Sequence, residues 1–106
     1  MTNKNEKKIL DLFGQEMRRC FGDRLKRIVL FGSRARGDNT PDSDYDCLVI
    51  LGEVSPSVKA IIDEIAGDFL FRYNVVLSIL PKMEEEIHDQ PYNPFLKNAF
   101  QEGIVL

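Results

Sequence analysis

Gly32-Ser33, ten intervening residues and then Asp44-Tyr45-Asp46 are the residues whose types and spacing suit chemistry. Glycine lets backbone approach an anion closely, and serine adds a hydroxyl donor that can also cap a short turn or helix. Arg34 and Arg36 follow, and guanidinium groups give charge-assisted contacts to phosphate. Asp44 and Asp46 are spaced as alternate residues of a strand, so their α-carbons lie roughly 6–7 Å apart on one face. Two carboxylates so placed are hard oxygen ligands for a divalent cation, magnesium first and manganese as an alternative. The chemistry these parts suit is the holding of a nucleoside triphosphate with its metal. Gly32, Ser33, Arg34 and Arg36 are the candidate phosphate ligands. Asp44 and Asp46 are the candidate metal ligands and catalytic carboxylates.

The flanking sequence predicts a frame for these groups. Residues 25–31 end in the apolar run Ile28-Val29-Leu30-Phe31 and read as a strand delivering the turn. The stretch 37–43 is turn chemistry that returns the chain. A second strand, 44–51, has Leu48 and Ile50 behind the aspartates and Tyr45, Cys47, Val49 and Leu51 on its other face. Residues 5–21 read as an amphipathic helix with Ile9, Leu10, Phe13, Met17 and Cys20 on one side. Ser55-Pro56 opens another helix, serine as cap and proline at the first helical position, with Val58, Ile61, Ile62, Ile65, Phe69 and Leu70 facing a sheet. Near-continuous apolarity over 75–80 predicts a third strand buried on both faces. An acidic helix start at 83–88, a helix over 94–101 and a short edge strand at 104–106 complete the chain. His88 reads as a surface residue. Phe95 reads as core, whereas Tyr92 suits the core or a docking patch equally.

The segment Phe31 to Ile50 resembles the Gly-Ser-x10-Asp-x-Asp signature of the minimal nucleotidyltransferases of the DNA polymerase beta-like superfamily, matched at Gly32, Ser33, Asp44 and Asp46. The resemblance extends through element order to the C-terminal residues. It implies an α/β (α+β two-layer) domain with a small mixed sheet packed against helices. It also implies an antitoxin that transfers AMP from magnesium-ATP to a tyrosine of a HEPN-domain toxin partner. One departure stands out. Where many members carry a third carboxylate within an apolar strand, this chain has Ser78, and a hydroxyl replaces neither the charge nor the base. Either Asp42, Asp68 or the partner supplies a carboxylate, or the chemistry is slow or absent.

Composition narrows the classes. With 106 residues the chain is expected to form one domain, 1–106. A net charge of −3 argues against broad electrostatic binding to nucleic acid. No apolar run reaches membrane-spanning length and the N-terminus is not a signal peptide, so a cytoplasmic protein is expected. Cys20 and Cys47 lack metal-type spacing and read as reduced thiols. Two rivals to transfer onto a protein remain. One is a binding module that occludes its partner, and the other is transfer to a small molecule such as an aminoglycoside, which the absence of an added domain disfavours. A homo-oligomer is compatible with all three.

Overall fold

The computed structural model describes residues 4–106. Helix α1 (Lys4–Phe21) buries Ile9, Leu10, Phe13, Met17 and Phe21, the spacing of three and four that one helical face requires. Helix α3 (Pro56–Tyr73) begins as expected: the Ser55 hydroxyl accepts the Val58 N–H at 3.2 Å. It ends where Asn74 turns left-handed at φ 54° and its N–H closes on the Leu70 carbonyl. Val58, Ile62, Ile65 and Phe69 point into the core, but Leu70 is exposed.

These helices cover one face of a four-stranded mixed sheet in the order β3-β2-β1-β4. Strands β1 (Leu25–Phe31) and β2 (Tyr45–Leu51) are antiparallel, while β3 (Leu77–Met83) runs parallel to β2 after the α3 crossover. Strand β4 (Ile104–Val105) adds antiparallel to β1. Tyr45, Cys47, Val49 and Leu51 join the core under α1 and α3. Leu48 and Ile50 pack with Val29 and with Leu96 and Ala99 of helix α5 (Pro94–Glu102). Helix α4 (Glu84–Asp89) adds Ile87 there. The helices expected against the sheet therefore flank it on both sides, α4 and α5 forming a thin further layer.

Both faces of β2 are buried, and each large apolar side chain so buried contributes about 1.5–3 kcal/mol. A slip of one residue would turn Asp46 into the core, so packing fixes which face carries it. Two expectations change. Strand β2 starts at Tyr45, leaving Asp44 just ahead of it. Strand β3 starts two residues later than its apolar run and continues through Pro81, because it lies at the sheet edge where a missing N–H is tolerated. Its burial is accordingly partial rather than two-sided. No helix among the described residues is long and apolar enough to cross a membrane.

Candidate active site

Strand β1 ends at Phe31, and Gly32 then adopts φ 75° to start the one-turn helix α2 (Ser33–Arg36). The Gly32 carbonyl accepts the N–H groups of Ala35 and Arg36, both at 3.1 Å, and Gly37 closes the turn at φ 85°. Phe31 is paired in register with Asp46 across the sheet, which brings the Asp46 carboxylate onto the glycine. A Cβ at Gly32 would collide with a carboxylate oxygen of Asp46. Position 32 thus demands glycine twice, for its backbone angle and for the close approach.

Asp44 and Asp46 are electrostatically coupled. Partial burial, then the charge of Asp44, push the Asp46 carboxyl above the usual aspartate range, and Arg36 opposes them. Two like charges in one place are costly unless a cation joins them. The Asp44 and Asp46 carboxylates and the Ser33 hydroxyl form no hydrogen bond or ion pair with the described residues. The polar groups around them are satisfied internally. The Thr40 N–H donates to the Ser43 hydroxyl at 2.9 Å, and Arg36 bonds Asp38 at 3.2 Å and Glu102 at 3.3 Å. The uncommitted polar groups are those a metal–nucleotide complex would use.

Arg34, expected at the phosphate, is employed elsewhere. Its Nη1 donates to Glu6 at 2.8 Å, Nε to the Ser43 carbonyl at 3.0 Å, and Nη2 to the carbonyls of Pro41 and Ser43 at 3.2 and 2.9 Å. The guanidinium also lies 3.9 Å from the centroid of the Tyr45 ring. Arg34 therefore ties the loop before Asp44 to α1, and these bonds engage its guanidinium. Arg36 remains exposed at the rim, anchored to α5 through Glu102. Sequence reading missed Glu6, although it stands three and four residues before Ile9 and Leu10, on the apolar face of α1.

Ser78 pairs in parallel register with Asp46 and is exposed beside it. Asp68 lies on α3, bonded to Arg72 at 2.9 Å, in the layer covering the opposite face, so it is not brought to the pair. Among the described residues no group of three His, Cys, Asp or Glu side chains is placed to hold a metal, so Asp42 does not complete one either. Phe95 does not enter the core. It stacks edge-on against Phe31, with ring centroids 5.4 Å apart, while Tyr92 is 92% exposed. Cys20 and Cys47 are free thiols, and His88 is exposed.

The family model of the nucleotidyltransferase domain matches residues 10–105. The chain belongs to that family. It is 35% identical over 102 residues to "Putative protein adenylyltransferase MJ0604" of Methanocaldococcus jannaschii, covering 96% of this chain and 98% of that protein. A relative from the same organism, "Putative protein adenylyltransferase MJ1305", is 32% identical over 99 residues, covering 91% of this chain and 67% of its own. A chain of a crystal structure of the toxin-antitoxin MntA-HpeT, in a mutant form, superposes with a TM-score of 0.60 at 22% identity. It covers 98% of this chain and 72% of that one, which shows a shared fold. The nucleotidyltransferase domain is thus an enzyme fold of mixed sheet and helices, with the Gly-Ser turn and aspartate pair at one end of its central strands.

Proposed function

We propose that this chain transfers AMP from magnesium-ATP to a tyrosine hydroxyl of a HEPN-domain toxin and acts as its antitoxin. The observation carrying the reading is the pair of uncommitted carboxylates, one pressed on the Gly32 backbone beside the uncommitted Ser33 hydroxyl. The names of the relatives support a protein as acceptor, and the toxin-antitoxin neighbour supports a toxin. Asp44 and Asp46 fit magnesium, which takes one or two carboxylates and completes its shell with water and phosphate oxygens. When bound, the ion neutralises charge on the triphosphate.

The chain's own residues perform the rest. Gly32 admits the terminal phosphates to the backbone, and Ser33 donates its hydroxyl to them. Arg36, whose charge already reaches Asp46, offsets negative charge as the acceptor oxygen bonds to the α-phosphorus. The bond from that phosphorus to the bridging oxygen breaks, pyrophosphate leaves with the electron pair, and the acceptor's proton passes to water. Positioning and charge stabilisation supply the acceleration.

Occlusion without transfer is the second reading, favoured by Ser78 standing where an acid would sit beside Asp46. Incubation with magnesium-ATP and a HEPN-domain protein as the proposed partner separates the two. Transfer predicts one AMP added to the partner by intact-mass spectrometry, lasting inactivity after separation, and loss of both in Asp44→Asn. An unmodified partner fully silenced by Asp44→Asn selects occlusion.

A further inference from the structure

The metal-side face of the sheet continues directly into exposed aromatic surface. Phe31 shares that face with Asp46 through their register, and Phe95, at the start of α5, stacks on Phe31. Tyr92 stands three residues earlier, in the turn between α4 and α5, with 92% of its surface exposed; Phe95 is 43% exposed. Asn93 fixes this corner: its side chain accepts the N–H groups of Phe95 and Leu96 at 2.9 and 3.3 Å. The other end of α5 is tied to the rim by Glu102 on Arg36. Helix α5 therefore borders the site, with aromatic rings at its start and a charged clamp at its end.

We propose that Tyr92 and Phe95, backed by Phe31, form the platform on which the acceptor segment of the partner protein lies when its hydroxyl reaches the α-phosphorus. The inference rests on the transfer reading and adds to it the residues that position the acceptor. Three features select this occupant. The Phe31–Phe95 pair adjoins Asp46, so a segment entering over that carboxylate from this side crosses it. Exposed aromatic rings bind protein surface strongly at little entropic cost. The short ring-on-ring stack and the Asn93 cap hold the platform in shape before binding, which lowers the cost of docking. Tyr92 and Phe95 are positioning residues; neither touches the phosphates.

The test uses the full chain, magnesium-ATP and a HEPN-domain protein as the proposed acceptor. Tyr92→Ser removes an exposed ring, and Phe95→Leu keeps apolar contact with Phe31 while removing the aromatic surface. Each should raise the KM for the acceptor protein about tenfold or more, with kcat at saturating acceptor and magnesium-ATP affinity within about twofold of the parent. Phe71→Ser is the matched control, because Phe71 is 90% exposed on α3, in the layer covering the other face. Its acceptor KM should not move. Unchanged acceptor KM in both platform variants, with transfer by the parent intact, overturns the platform and leaves the transfer reading standing. Absence of transfer by the parent overturns both. A change of oligomeric state in Tyr92→Ser, measured by sedimentation of the chain alone, assigns the patch to a second copy and also overturns the proposal.

Discussion

Replacing Arg34 by methionine should damage the fold rather than the binding chemistry. The side chains of Arg34 and Glu6 are 5% and 6% exposed and meet at 2.8 Å. Methionine fills much of the same volume but removes the ion pair, the donors to Pro41 and Ser43, and the stack on Tyr45. Breaking a buried pair from one side costs about 3–5 kcal/mol, because attraction and hydrogen bonds made inside the protein are lost. That is a large share of the ~5–15 kcal/mol that holds a domain. For a chain of this size each kcal/mol moves the Tm by about 4–8 °C, so a fall of roughly 12–40 °C is expected. Arg34→Lys should fall between, since an ammonium cannot span Glu6 and two carbonyls together. Glu6→Leu added to Arg34→Met should recover part of the loss, because an apolar pair leaves no buried charge. Thermal and urea unfolding followed by circular dichroism give the values. An Arg34→Met protein within about 1 kcal/mol of the parent, with magnesium-ATP affinity down tenfold, would refute that structural role and assign Arg34 to the phosphate.

Three further outcomes follow from the same geometry. Gly32→Ala places a Cβ against Asp46 at φ 75°, so it should cost about 1–3 kcal/mol of stability and abolish magnesium-ATP binding by calorimetry. Asp46→Asn should raise the Tm at pH 7 while abolishing magnesium-dependent binding. The sign follows from the raised Asp46 pKa: ionisation costs stability above the folded-state value, and the cost disappears as pH falls towards the ordinary 3.8. The advantage of asparagine should therefore shrink over that acidic range, and an advantage constant with pH would contradict the assignment. Burial pushes the Cys47 thiol up to about 12, so iodoacetamide at pH 8 should label the native protein at Cys20 before Cys47.

Local patterns in the sequence reach far into this structure, and where they stop is physically clear. The face of α1, the Ser55 cap and the alternation in β2 are near-neighbour effects, and all are visible in short windows. The turn and the aspartate pair were legible because few residue types allow a backbone approach beside paired carboxylates. The bond of Arg34 to Glu6 was not legible because the two lie 28 residues apart, and only tertiary packing brings them together. The two arginines look alike in sequence, yet one is buried and the other exposed. Strand β3 was misread because apolarity does not tell an edge strand from a central one until the strand order is known. The same holds for Phe95, whose hydrophobicity suggests core although its partner Phe31 lies at the rim.

The central claim is that Asp44, Asp46, Gly32 and Ser33 present ATP for attack at its α-phosphorus. Parallel reactions with ATP labelled at the α- or the γ-phosphorus, each with magnesium and a HEPN-domain protein as the proposed partner, test it most directly. The account predicts α-label on the partner, no γ-label, and neither in Asp44→Asn. Label arriving from the γ-position, or α-label undiminished by Asp44→Asn, would contradict it.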